Sequence, residues 1–319
     1  MSGTRAVAAP FASTSADAAM RRYQGTERAL WDHYGLEPSE RFIELASLGA
    51  RLRIREVGSG EPVLFVHGTG GPGAWPALVR ELKGVRCIML ERPGWGLSSP
   101  VDFKAHDYNT LVADLLRDVL DSLGLDRAHV AGASIGNNWA LRLAQRHPSR
   151  VAGIVLLGGG PMVPEIEVPP FIKLLASPLG AAIVRLPQKP KMIAAQLRGL
   201  GHGASLDAGR IPDELIRWRQ SLSRDTDSMR HERAMVRAIV SARGFRPGLT
   251  FENAELAAIR QPTLHVYGTA DPTGSVEIWK RAAALLPRGE LQLVEGGGHV
   301  PWFDDAGGVA GHVRRFVVA

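Results

Sequence analysis

The chain has 319 residues, 45% hydrophobic and 22% charged, a profile that suits one large globular domain or a core carrying an insertion. Its 38 basic and 32 acidic side chains leave a net charge of +6, with no run of Lys or Arg longer than two, which argues against a nucleic-acid face. The single cysteine, Cys87, excludes an internal disulfide framework and sits in "VRCIML", where it reads as core filler.

Residues 1–16 are rich in Ala, Ser and Thr and read as a poorly ordered start, followed by a helix over about 17–34 that ends before Gly35. No apolar stretch of about 20 residues occurs, and the first residues hold no sustained hydrophobic run, so neither a membrane span nor an export signal is read. The expected setting is cytoplasmic. Two short strands around Leu48-Gly49-Ala50 predict a hairpin. "PVLFVHG" is a continuous apolar run closing on a glycine, as expected of a strand buried on both faces of a parallel sheet.

From there strands and helices alternate: a helix at 74–83, strand 85–90, helix 107–123, strand 127–133, helix 135–147 and strand 151–157. The rhythm breaks at 158–170. Up to about Glu255 only helical patterns are found, such as the apolar stripe Leu215, Trp218 and Leu222. It resumes with strand 262–268, a helix at 275–286, strand 291–296 and a last helix at 305–318. The expected organisation is an N-terminal extension at 1–40, an α/β core at 41–160 and 256–319, and a helical insertion at 161–255.

"VAGASIG" at 130–136 puts Ser134 between two glycines, after a predicted strand and before a predicted helix. That is the setting of a nucleophile on a sharp strand-to-helix turn. A serine hydroxyl is unreactive at neutral pH, so it needs a base and an orienter for that base. Asp271 stands just beyond strand 262–268 in "VYGTADP", and His299 beyond strand 291–296 in "EGGGHVPW". All three fall at C-terminal strand ends, where open α/β sheets gather their sites. The expected oxyanion donors are the N–H groups of Ile135 and Thr69, with Gly70 the runner-up in "HGTGGPGAW". His67 reads as a loop-stabilising residue. Gly70, Trp75, Trp95 and Asn138 are the substrate-pocket candidates, with the two tryptophans at its rim; for Asn137 and Asn138, capping or packing is the preferred reading.

The other histidines (His33, His106, His129, His147, His202, His231, His265 and His312) show no metal-ligand spacing and read as surface or core residues. "HGTGGPG" lacks the Lys-Ser/Thr ending of a P-loop, so no metal and no cofactor are expected. The expected partner is a small-molecule substrate, with no nucleic acid and no membrane.

On His67-Gly68, "ERPGWGLS" at 91–98, the 132–136 turn, Asp271 and His299, the chain over residues 41–319 resembles the capped serine hydrolases of the α/β-hydrolase fold. The resemblance implies a mostly parallel sheet flanked by helices with a helical cap insertion. It also implies a cofactor-independent enzyme that cleaves a carboxylic ester or related acyl compound. Serine rather than aspartate at 134 argues against the dehalogenase and epoxide-hydrolase branches. "HGTGGPGAW" is similar to the loop of carbon–carbon bond hydrolases acting on ring-fission products, although those typically carry Asn before the serine, where this chain has Ala133. Such a hydrolase is one alternative; a small-molecule receptor on the same fold and an acyltransferase are the others.

Overall fold

The computed structural model describes residues 14–160, 162–241 and 243–318. Residues 1–13 of the start expected to be poorly ordered lie outside them, while 14–16 already belong to the first helix. That helix, α1 (Thr14–His33), buries Tyr23 and Leu30 completely, so it is part of the body rather than an appendage. Charge fastens it as well as packing. Glu27 on α1 pairs with Arg53 at 2.6 Å, and Arg53 pairs in turn with Glu91, all three nearly inaccessible. Removing one member of such a buried cluster would leave an uncompensated charge.

The expected hairpin forms from β1 (Ser39–Leu45) and β2 (Ala50–Val57), turning at Gly49 with φ 57°. Then follow β3 (Glu61–Val66), α2 (Trp75–Val79), β4 (Val85–Leu90), α3 (Tyr108–Ser122), β5 (Ala128–Ala133), α4 (Ile135–Arg146) and β6 (Val151–Leu157). Together with β9 (Thr263–Gly268) and β10 (Gly289–Val294) further along the chain, the strands assemble into an eight-stranded sheet of order β1-β2-β4-β3-β5-β6-β9-β10. Its members from β4 to β10 are parallel, and β2 runs against both its neighbours.

The period-2 alternation of a strand divides the core into two layers. Leu64, Val66, Ile154 and Leu156 face the layer of α3 and α4, while Val63, Phe65, Val155 and Leu157 face the layer that includes α1 and α2. Cys87 belongs to the second layer, and burial pushes its thiol up to about 12, as befits a packing residue.

Between β6 and β9 the chain leaves the sheet. It builds α5 (Pro170–Ala176), α6 (Gly180–Ile183), α7 (Pro190–Leu197), α8 (Gly203–Asp207), α9 (Asp213–Asp225) and α10 (Ser228–Ile239). A ribbon of β7 (Val240–Ser241) and β8 (Gly244–Phe245) and the helix α11 (Asn253–Ala258) complete the excursion. The ribbon departs from the strand-free reading of this stretch, because two residues per strand are too few for alternation to show. The stripe Leu215, Trp218 and Leu222 is buried, and α9 is tied to α1 by Arg22–Asp225 at 2.7 Å. The sheet then resumes with β9 (Thr263–Gly268), α12 (Val276–Leu285), β10 (Gly289–Val294) and α13 (Ala306–Val318). Among the described residues no helix is long and apolar enough to cross a membrane.

Candidate active site

Three parallel strands, β5, β9 and β10, end on the same edge of the sheet and lead into Ser134, Asp271 and His299. Ser134 takes φ 55° and ψ −119°, the only positive φ outside glycine among the described residues. Such a backbone costs about 1–3 kcal/mol and persists where the surroundings over-determine it. The neighbouring glycines do that. A Cβ on Gly132 would lie 2.5 Å from the Asn137 nitrogen, and one on Gly136 would overlap the Val66 carbonyl. A Cβ on Gly68 would lie 2.7 Å from Ser134 Cβ. The serine stands between glycines because helix, strand and facing loop close on it without room for side chains.

Ile135 opens α4, so its N–H has no upstream intrahelical carbonyl to bind. Across the elbow, the loop after β3 leaves Thr69 half-buried and Gly70 exposed. His67 anchors that loop. Its Nε2 accepts the Arg92 backbone N–H at 3.1 Å, so Nδ1 carries the proton and donates to the Gly68 carbonyl at 2.8 Å. Burial, reinforced by the Arg92 charge, holds this imidazole well below its ordinary value and keeps it neutral. Arg92 also donates to the Gly68 carbonyl at 3.2 Å and pairs with Glu232 of α10 at 2.9 Å, both side chains 1% exposed.

Asp271 is a fully engaged carboxylate. One oxygen accepts the Thr273 N–H (2.9 Å) and hydroxyl (2.8 Å); the other accepts the Gly159 N–H (2.9 Å) and faces His299 Nδ1 at 2.9 Å. Burial alone would raise its carboxyl, but the His299 charge and these hydrogen bonds prevail and hold it at about 2. An ionised carboxylate only accepts, so His299 carries its proton on Nδ1 and leaves Nε2 as the basic nitrogen. Burial pulls the His299 imidazole down, yet attraction to Asp271 outweighs it and the net shift is upward.

The glycines at the end of β6 join the parts. A Cβ on Gly158 would overlap the His299 carbonyl, one on Gly159 would lie 3.1 Å from Asp271 Oδ2, and one on Gly160 would overlap the Ser134 carbonyl. A three-residue segment, at most about 10 Å long, thus touches all three strand-end residues.

Other sequence expectations are revised. Trp75 and Trp95 are each 1% exposed and do not stand at a rim. Trp75 stacks on Trp302 at 5.1 Å between centroids, and Trp95 donates its indole N–H to Glu232 at 2.8 Å. Asn138 is completely buried and donates to the Leu249 carbonyl at 2.8 Å, tying α4 to the returning excursion. Asn137 packs likewise, the reading preferred for both asparagines, accepting the Leu157 N–H and donating to the Gly158 carbonyl. Thr273, Gly159, Arg92 and Glu232 were missed. The Asp-x-Thr spacing was a readable turn signal for Thr273; nothing in the sequence links Arg92 to Glu232, 140 positions away.

Against known proteins, the Alpha/beta hydrolase family matches residues 63–312. The chain belongs to that family. Membership makes it a hydrolase in lineage. It is 30% identical over 275 residues to 2-hydroxy-6-oxononadienedioate/2-hydroxy-6-oxononatrienedioate hydrolase 2 of Pseudomonas putida, covering 82% of this chain and 90% of that protein. The hydrolase of the same name from Cupriavidus pinatubonensis is 29% identical over 261 residues, covering 78% and 84%. Among solved structures, a carboxylesterase from Bacillus subtilis superposes with TM-score 0.74 at 19% identity, over 94% of this chain and 98% of the other. A meta-cleavage product hydrolase from Pseudomonas fluorescens IP01 gives 0.68 at 20%, over 86% and 96%. At those identities the superpositions speak for the fold.

Proposed function

We propose that the protein is a cofactor-independent serine hydrolase that cleaves a carboxylic ester or related acyl compound, with Ser134, His299 and Asp271 as its triad. The observation that carries the reading is the Asp271–His299 bond at 2.9 Å on the same sheet edge as the strained Ser134 elbow. Ser134 Oγ attacks the acyl carbon and its proton passes to His299 Nε2. Asp271 holds the imidazole in that tautomer and stabilises the imidazolium. The N–H groups of Ile135 and Thr69 receive the oxyanion. His299 returns the proton to the leaving group, then activates the water that releases the acyl-enzyme. The helical segment 161–255 acts as a cap over the serine and shapes the acyl pocket.

A second reading is cleavage of a carbon–carbon bond in a vinylogous diketone, with the same residues in the same places. Its support is the similarity to hydrolases of 2-hydroxy-6-oxononadienedioate. Two features favour the ester. Ala133 occupies the position where carbon–carbon bond hydrolases typically carry Asn. Arg92, the cation that reaches the Gly68 carbonyl, is already neutralised by Glu232 and offers no charge to a carboxylate-bearing substrate. Turnover of aryl esters of graded acyl length, measured beside ring-fission diketones, decides between them. Ester turnover that Ser134→Ala abolishes supports the first reading; diketone cleavage without ester turnover supports the second.

A further inference from the structure

The excursion reaches the loops of Asp271 and His299 at a tight turn. Arg198–His202 form a kinked turn between α7 and α8, broken at Gly201 with φ 90°. A Cβ on Gly201 would lie 2.6 Å from the Ala270 carbonyl oxygen and 2.8 Å from Gly298 Cα. The turn is therefore wedged between the loop that carries Asp271 and the loop that carries His299. The Leu200 carbonyl accepts the His299 backbone N–H at 2.8 Å. His202 is completely buried beside it, with both ring nitrogens engaged. Its Nε2 accepts the Val300 N–H at 3.1 Å, and its Nδ1 faces Asp304 at 2.9 Å. Since Nε2 accepts, the proton sits on Nδ1 and is donated to that carboxylate. Asp304 also accepts the Gly298 N–H at 2.8 Å and the Ser205 hydroxyl. Three consecutive backbone N–H groups, at 298, 299 and 300, are thus held by Asp304, Leu200 and His202.

We propose that His202 is a positioning residue for the catalytic base: through Val300 and Asp304 this cap histidine fixes the loop on which His299 rides. The proposal rests on the reading of His299 as base. A histidine that only filled core volume would need partners for its nitrogens, but it would not need them on the backbone next to the base. The second element of design is Gly298, whose Cβ would lie 2.7 Å from His202 Cε1. The absence of a side chain there lets the imidazole close on the loop. A displacement of about 1 Å at a catalytic group can cost about 100-fold in rate, so loss of this anchor should be read in the chemical step. The cap is then no freely swinging lid at this end, because lifting the 198–202 turn removes the supports of the base.

The test compares His202→Ala, His202→Leu and His202→Gln with the full-length wild type. A glutamine amide can accept from Val300 and donate to Asp304; leucine fills similar volume with neither function. The readouts are the rate of Ser134 labelling by a fluorophosphonate, kcat and KM on the best ester, and hydrogen exchange of the Val300 amide. His202→Ala and His202→Leu should label about 10- to 100-fold more slowly and lose kcat with KM within about twofold. Exchange at Val300 should speed up in both. His202→Gln should stay within about threefold of wild type. Should His202→Ala fail to fold, the leucine–glutamine pair carries the comparison. Wild-type labelling by folded His202→Leu, or equal slowing in the glutamine and leucine variants, overturns the proposal. The exchange measurement needs no reaction at Ser134, so unchanged Val300 protection defeats the anchor itself, whereas an unlabelled wild type defeats the hydrolase reading.

Discussion

Replacing Glu232 with alanine should cost the fold about 3–5 kcal/mol, the loss expected when one partner of a buried ion pair is removed. Glu232 and Arg92 are each 1% exposed and 2.9 Å apart, and the same carboxylate oxygen accepts the Trp95 indole N–H at 2.8 Å. The truncation therefore leaves a buried guanidinium uncompensated and an indole without its acceptor. Urea unfolding should show the loss as a lower midpoint at similar slope, and calorimetry as a fall in Tm of roughly 10 °C. Arg92 also donates to the Gly68 carbonyl, so hydrolysis below the new Tm should slow as the loop after β3, which carries the proposed oxyanion donor Thr69, loosens. Glu232→Gln, which keeps an acceptor, should cost about half as much. The double variant Arg92→Met/Glu232→Leu should recover part of the stability, because an apolar pair leaves no charge stranded while the Trp95 indole still lacks its acceptor. A loss below about 1 kcal/mol in Glu232→Ala would refute the reasoning: the pair would then be solvated and α10 free of the core at this point.

Three further outcomes follow from the site. Because attraction to Asp271 lifts the His299 imidazole above 6.5 despite burial, and only the neutral ring accepts a proton, the acid limb of kcat/KM should have its midpoint above pH 6.5; Asp271→Asn should move the midpoint down as well as slow turnover by about 1,000-fold or more. The carboxyl of Asp271, lowered to about 2 from 3.8, contributes stability that is complete above pH 4 and lost as the pH falls through 2, whereas the raised His299 contributes below pH 6.5 and loses that contribution as the pH rises through its folded value; acid titrations of wild type and Asp271→Asn followed by circular dichroism measure the difference. Ser134→Gly should be about 1 kcal/mol more stable than Ser134→Ala in thermal unfolding, since glycine alone accepts φ 55° without strain.

The sheet was legible because its strands are short apolar runs separated by helical periods, and the β5, β9 and β10 ends announced themselves through Ser134, Asp271 and His299. What escaped was what the chain decides at long range. The clusters Glu27–Arg53–Glu91 and Arg92–Glu232 join residues far apart in sequence, and no local pattern marks an arginine whose partner lies on another helix. Trp75 and Trp95 looked like rim residues because they follow glycine-rich loops; burial against Trp302 and Glu232 is a tertiary outcome. His202 offered no spacing signal at all, and its role shows only where the α7–α8 turn meets the His299 loop.

The central claim is that Ser134 is a nucleophile activated by His299. Labelling the wild-type protein with a fluorophosphonate and mapping the modified peptide tests it most directly. We expect one adduct, on Ser134, absent in Ser134→Ala and slowed at least 100-fold in His299→Ala, with the double variant no different from Ser134→Ala alone. An adduct on another residue, or a folded wild-type protein that remains unlabelled, would contradict it.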